Sequence, residues 1–245
     1  MLNPDAFEAI TFDCYGTLID WESGILQAVR PVLAVHGVRA GDDELLALYA
    51  GLEAELEREA SAERGRFSRY REVLGDVMRG IGEHYGLQLI DREVDRLPAS
   101  LARWPAFADT APALRALKTR YRLAVLSNVD RDLFEDTAPK LGVELDELVT
   151  ADFCRSYKPD PRHFRVGLAL LDLPPSKVLH VAESRVHDVV PARAMGMTTV
   201  WVNRRGLRGP GASGGGGGGG GGEGGPDVEV RDLAGLVERL GLAMG

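Results

Sequence analysis

The chain has 245 residues, 44% of them apolar and 27% charged, and carries a net charge of −8. That length allows one large domain or two modest ones, and the composition is that of a globular protein able to bury a full core. The acidic balance speaks against nucleic acid or an anionic membrane as partner, no apolar run is long enough to span a bilayer, and two cysteines cannot form a disulfide framework.

The stretch Met1-Leu2-Asn3-Pro4-Asp5 lacks the basic and apolar regions of a signal peptide, so the expected location is the cytoplasm. Glycine is the one unusual residue type, with 30 in all and an unbroken run over 214–222 inside a glycine-rich stretch at 209–225. It has no Gly-X-Y period, which excludes collagen.

In chain order, Ala9-Ile10-Thr11-Phe12 is a short apolar, β-leaning run that enters a turn at Asp13 and Gly16-Thr17. Strand alternation turns Cys14 away from Asp13. From Trp21 to about Arg103 the pattern is helical. Asp42-Asp43-Glu44 opens a helix in which Leu45, Leu48, Leu52 and Leu56 recur at helical spacing; Tyr70, Val73, Leu74, Val77, Met78 and Ile81 do the same, as do Val94, Leu97 and Leu101. After Pro105, strands and helices alternate. Strands are predicted at 123–126, 147–150, 177–181, 198–202 and 228–230, with helices at 111–118, 132–141, 162–171, 189–195 and 233–240. Such alternation predicts an α/β fold with a parallel sheet covered on both faces, and a ligand site at the carboxyl ends of the strands. That rule gathers Asp13, Thr17, Ser127, Asn128, Lys158, Glu183 and Asp188 into one pocket.

These residues carry a resemblance. Phe12-Asp13-Cys14-Tyr15-Gly16-Thr17-Leu18, Leu126-Ser127-Asn128, Lys158-Pro159 and Glu183 with Asp188 resemble, in order and spacing, the four motifs of the haloacid dehalogenase superfamily of hydrolases. The resemblance implies a Rossmann-like parallel-sheet core at 1–20 and 104–245 with an all-helical cap inserted at 21–103. The tract at 209–225 then becomes a flexible loop within the core, because 228–240 continues it. The resemblance also implies a covalent aspartyl intermediate on Asp13. Thr17 and Ser127 would offer hydroxyls to substrate oxygens, and Lys158 would neutralise the charge gathered by nucleophile, substrate and Asp188. Pro159 suits the first turn of a helix that brings Lys158 to the pocket. Tyr15 and Asn128 complete the candidate site on the substrate side.

Two chemistries divide this superfamily. Phosphatases carry a second Asp two positions after the nucleophile to protonate the leaving alcohol, whereas this chain has Tyr15 there; a halide leaves without a proton. The motif is similar to the 2-haloacid dehalogenase branch, which implies a small anionic substrate, no cofactor and a possible homodimer. Other positions depart from that branch. Glu183 and Arg185 stand where those enzymes have Ser and Asn, Phe164 stands where they have Tyr, and their halide-binding Arg aligns with about Ala50. Asp13, Glu183 and Asp188 would instead suit Mg²⁺ in a phosphatase acting through an aspartyl-phosphate. A non-catalytic binding protein is the third reading. For an anion site, the helical segment offers Arg66 and Arg69, in a cluster with Arg64 and Arg71 at the start of a predicted helix.

Overall fold

The computed structural model describes residues 2–61, 67–207 and 225–244. Six parallel strands form one sheet: β1 (Ala9–Phe12), β2 (Arg122–Ser127), β3 (Glu147–Thr150), β4 (Val178–Ala182), β5 (Thr198–Val202) and β6 (Val228–Val230), in the order β3-β2-β1-β4-β5-β6. This is the doubly wound α/β order, Rossmann-like as expected, with its switch point between β1 and β4. There the connections leave for opposite faces and open a crevice beyond the strand ends.

The sheet is buried on both faces, and the two sides are built by parity. Ile10 and Phe12 of β1, with Leu179 and Val181 of β4, face the larger apolar cluster; Ala9 and Val178 face the smaller one, beside Leu126 and Phe164. Asp13 continues the parity of Ala9 and Thr11, and Cys14 that of Phe12. Cys14 accordingly lies buried in the larger cluster, as alternation predicts.

Three helices pack mainly on that larger cluster between residues 21 and 84: α1 (Trp21–Val35), α2 (Asp42–Ala60) and α3 (Tyr70–His84). Helix α1 passes Trp104 so closely that a Cβ at Gly24 would lie 2.3 Å from the indole. The third predicted helix is not continuous. The four-residue α4 (Asp91–Val94) is followed by a 3₁₀ segment at Pro98–Arg103, because Pro98 lacks the N–H a helix would need there. The remaining helices are α5 (Thr110–Lys118), α6 (Arg131–Glu135), α7 (Ala151–Cys154), α8 (Arg162–Leu171), α9 (Val190–Ala194) and α10 (Leu233–Arg239). The helix expected over 132–141 is likewise split, with a 3₁₀ turn at Ala138–Leu141 around Pro139. The one expected over 189–195 begins earlier, as a π-helical turn at Arg185–Val189 that leads into α9.

Strand β6 pairs with β5 in register, Trp201 against Glu229, so the chain on both sides of the glycine-rich stretch belongs to one sheet. Residues 209–224 of that stretch lie outside the described residues. No helix among the described residues is long and apolar enough to cross a membrane.

Candidate active site

The strand ends bring the expected residues together around one ammonium group. Lys158 Nζ donates to Asp13 Oδ1 at 2.8 Å, Asp188 Oδ1 at 2.6 Å and the Leu126 carbonyl at 2.9 Å. Asp13 follows β1, Asp188 sits on the π-helical turn after β4, and Lys158 lies in the loop before α8. That loop corrects one expectation: Pro159 follows a cis Lys158–Pro159 bond and opens no helix, while α8 starts only at Arg162, after Pro161.

Thr17 ties the turn to the strand ends. Its hydroxyl donates to Asp13 Oδ2 at 2.9 Å and receives the Glu183 N–H at 2.9 Å. Arg204, which follows β5, donates to the Thr17 carbonyl at 2.8 Å while its guanidinium lies 3.8 Å from the centre of the Phe107 ring. On the far side, His180 of β4 reaches Asp188 Oδ1 at 3.1 Å and is itself fixed by the Thr11 hydroxyl at 2.9 Å. Asn128 holds the Lys158 backbone, accepting its N–H at 2.7 Å. Ser127 Oγ and Asp188 Oδ2 are buried with no hydrogen-bond partner among the described residues.

The charges set the proton states. Burial raises the Asp13 carboxyl, and Asp188 adds to that, while Lys158 and Thr17 oppose it. Burial also pushes Asp188 upward, but Lys158 and the His180 hydrogen bond outweigh it and bring the group down to about 2. Burial works against the Lys158 ammonium, yet its two carboxylate partners raise it well above the ordinary lysine range. Glu183 is raised to about 7, first by burial and then by Asp13 and Asp188. An ionised Asp188, a charged lysine and a nucleophilic carboxylate whose side chain keeps 11% exposure make a site suited to covalent carboxylate catalysis.

The space between Asp13 and Asp188 is filled by the Lys158 ammonium, and no group of three His, Cys, Asp or Glu among the described residues could hold a metal ion.

Beside this centre is a cavity of about 340 Å³. Tyr15, Lys158 and Glu183 line it from the sheet edge, and its opposite wall comes from α2 and α3. Tyr15, with its hydroxyl 3.0 Å from Thr137 Oγ1, packs edge-on against Trp104, ring centres 5.5 Å apart.

Arg66 lies outside the described residues. Arg69 is not among the lining residues: its guanidinium is turned to Asp132 at 2.7 Å, Asp130 at 3.6 Å and Asp152 at 3.9 Å, because three carboxylates offer it a stronger local field. Among the described residues the guanidinium that lines the cavity is that of Arg58, five residues beyond Glu53 on α2.

The sequence pattern had missed this wall. Leu45, Leu48, Leu52 and Leu56 suggest one face for α2, but the deeply buried residues of that helix are Leu45, Tyr49, Glu57 and Ala60. Tyr49, Glu53 and Glu57 repeat every four residues and so share a stripe. That spacing was the available signal. Ala50, aligned with the halide-binding Arg of the 2-haloacid dehalogenase branch, lines the cavity without a charge.

Comparison with known proteins agrees with this geometry. The family model for haloacid dehalogenase-like hydrolases matches residues 7–196. The (S)-2-haloacid dehalogenase of Pseudomonas sp. strain YL is 28% identical, with 98% of this chain and 97% of that protein aligned. Haloacetate dehalogenase H-2 of Moraxella sp. strain B is 30% identical over 82% of this chain and 87% of its own. A crystal structure of an L-2-haloacid dehalogenase superposes with a TM-score of 0.77 at 27% identity, covering 96% of this chain and 99% of the other. With the polar ends of β1 and β2 and the turn after β4 converging on Lys158 and its family match spanning most of the sequence, the chain belongs to the haloacid dehalogenase-like hydrolases.

Proposed function

We propose that this protein is a 2-haloacid dehalogenase, a hydrolase that removes halide from C2 through an ester on Asp13. The observation that carries this reading is the Lys158 ammonium bonded at once to Asp13 and Asp188, with Tyr15 standing where a phosphatase needs its leaving-group acid. An Asp13 oxygen attacks C2, the C–O bond forms, and halide departs with the electron pair of the broken C–X bond, so no proton is called for. Water then adds to the Asp13 carbonyl carbon. The ester C–O bond breaks, the departing hydroxyacid oxygen takes one proton of the water, the other is released to solvent, and the Asp13 carboxylate is regenerated. Asp188, ionised and with Oδ2 buried, is the acceptor that directs this water; Lys158 balances the negative charge through both steps.

Thr17 fixes the orientation of Asp13, Ser127 Oγ offers a buried hydroxyl to the substrate, and Asn128 positions Lys158. Arg58, whose guanidinium lines the cavity, receives the substrate carboxylate in place of Arg69. Residues 21–103 act as a cap over the core at 1–20 and 104–245, since helices of the one and strand ends of the other wall the same cavity. No metal is required in this reading. The two cysteines, both free and buried, fit a reducing cytoplasm.

The test is chloride release from 2-chloropropionate, run beside p-nitrophenyl phosphate with and without Mg²⁺. Chloride release insensitive to EDTA and abolished in Asp13→Asn is the expected result. Phosphate release that EDTA abolishes, with no chloride, would overturn it.

A further inference from the structure

The wall that faces the reacting centre is built for a positive charge. Tyr49, Glu53 and Glu57 form one stripe of α2, joined by Tyr70 from α3, and Trp21 and Trp104 flank them in the cavity. Glu53 Oε1 takes hydrogen bonds from the Tyr49 hydroxyl at 2.8 Å and from the Tyr70 hydroxyl; Glu57 Oε2 takes one from Asn128 at 3.0 Å. These donors are all neutral. The cation nearest in function, Lys158, is committed to Asp13 and Asp188.

Burial raises both glutamates; Glu57 stands well above its ordinary range, with Glu53 and Asp13 adding to burial while the Asn128 hydrogen bond and the Lys158 charge oppose it. Aromatic faces attract cations through the ring quadrupole, and a carboxylate beside them supplies the opposite charge. Trp21 and Tyr49 lie with ring centres 5.7 Å apart and planes inclined by 31°. The volume of about 340 Å³ falls in the range of pockets for extended ligands and exceeds the need of a three-carbon haloacid.

We propose that this aromatic and acidic wall receives an organic ammonium group, so that the preferred substrate is a 2-haloacid whose chain ends in a cation. The substrate assignment rests on the dehalogenation reading above; the ammonium site itself does not. The carboxylate goes to Arg58, the halogen-bearing carbon to Asp13, and the chain carries its ammonium to Glu53 and Glu57. An anion at that wall would meet two acidic side chains instead.

The experiment compares chloride release from 6-amino-2-chlorohexanoate and from 2-chloroheptanoate, in which a methyl replaces the ammonium. The expected kcat/KM is about tenfold or more higher for the amino substrate. Glu53→Gln and Glu57→Gln bring that ratio toward one. Should either variant fail to fold, the wild-type protein answers alone: n-hexylammonium quenches or shifts the fluorescence of Trp21 and Trp104 at concentrations where 1-hexanol does not. Equal or faster turnover of 2-chloroheptanoate, or equal binding of the amine and the alcohol, overturns the ammonium site and leaves the dehalogenase reading intact. Absence of chloride from these substrates and from 2-chloropropionate overturns the dehalogenase reading, while selective binding of n-hexylammonium would still support the site.

Discussion

Asn128 grips Lys158 at both ends of its backbone: the Lys158 N–H donates to Asn128 Oδ1 at 2.7 Å, and Asn128 Nδ2 reaches the Lys158 carbonyl at 3.3 Å. The same amide nitrogen donates to Glu57 at 3.0 Å, so one side chain links the loop that carries the central ammonium to the far wall of the cavity. Asn128→Ala is expected to lower stability by about 1–3 kcal/mol, the cost of leaving buried groups unpaired. With Lys158 less well aimed, kcat falls more than KM rises. Urea unfolding and steady-state kinetics of the same preparation check both, and an effect confined to KM would refute the positioning role.

Lys158 holds two buried carboxylates in place, and removing it leaves both without their counter-charge. Lys158→Met should cost about 3–5 kcal/mol at neutral pH and abolish turnover. The loss is expected to shrink as pH falls into the carboxylate range, because protonation removes the repulsion between Asp13 and Asp188. Unfolding midpoints measured at pH 4 and pH 7 decide it, and an equal loss at both would be the contrary outcome.

Glu183 sets a pH dependence of opposite origin. Its carboxyl is raised from 4.5 to about 7 by burial and by the neighbouring acids. A raised carboxyl binds its proton more tightly when folded, so its stabilising contribution is full below about pH 4.5 and is lost as pH rises toward 7. Glu183→Gln is therefore expected to be more stable than the wild type at pH 8, by on the order of 1–3 kcal/mol, and little changed at pH 4.5. Denaturant midpoints at the two pH values test the sign.

Arg58 and Arg69 are predicted to separate cleanly. Arg58→Met removes the lining guanidinium and should raise KM for 2-chloropropionate about tenfold or more, with a smaller change in kcat. Arg69 pairs with Asp132 and with the buried Asp130 away from the cavity. Arg69→Ala should cost stability and leave KM within about twofold. Kinetics of the two variants on one substrate check this, and a KM effect at Arg69 equal to that at Arg58 would reverse the assignment.

The sequence by itself determined the sheet and the ends of its strands. Its short apolar runs occur between helical periods, and a strand buried on both faces has no other stable place than a covered parallel sheet. Three of the four polar motifs follow from that, because Asp13, Ser127 and Glu183 stand where strands stop, whereas Lys158 lies in the loop between α7 and α8. Parity placed Cys14 in the core and Asp13 at the crevice for the same reason. What lay across the cavity was not legible in this way. A leucine series marked one face of α2, while the stripe Tyr49, Glu53, Glu57 mixes aromatic and acidic types and yields no apolar period. Only the packing of α2 and α3 over the strand ends buried it. Arg69 shows the same limit: spacing put it at a helix start, but the three carboxylates that hold it come from residues 130, 132 and 152, far along the chain. Local periodicity follows from one segment's own geometry, whereas the partner of a side chain is chosen by charges and surfaces that meet only when the whole chain has folded.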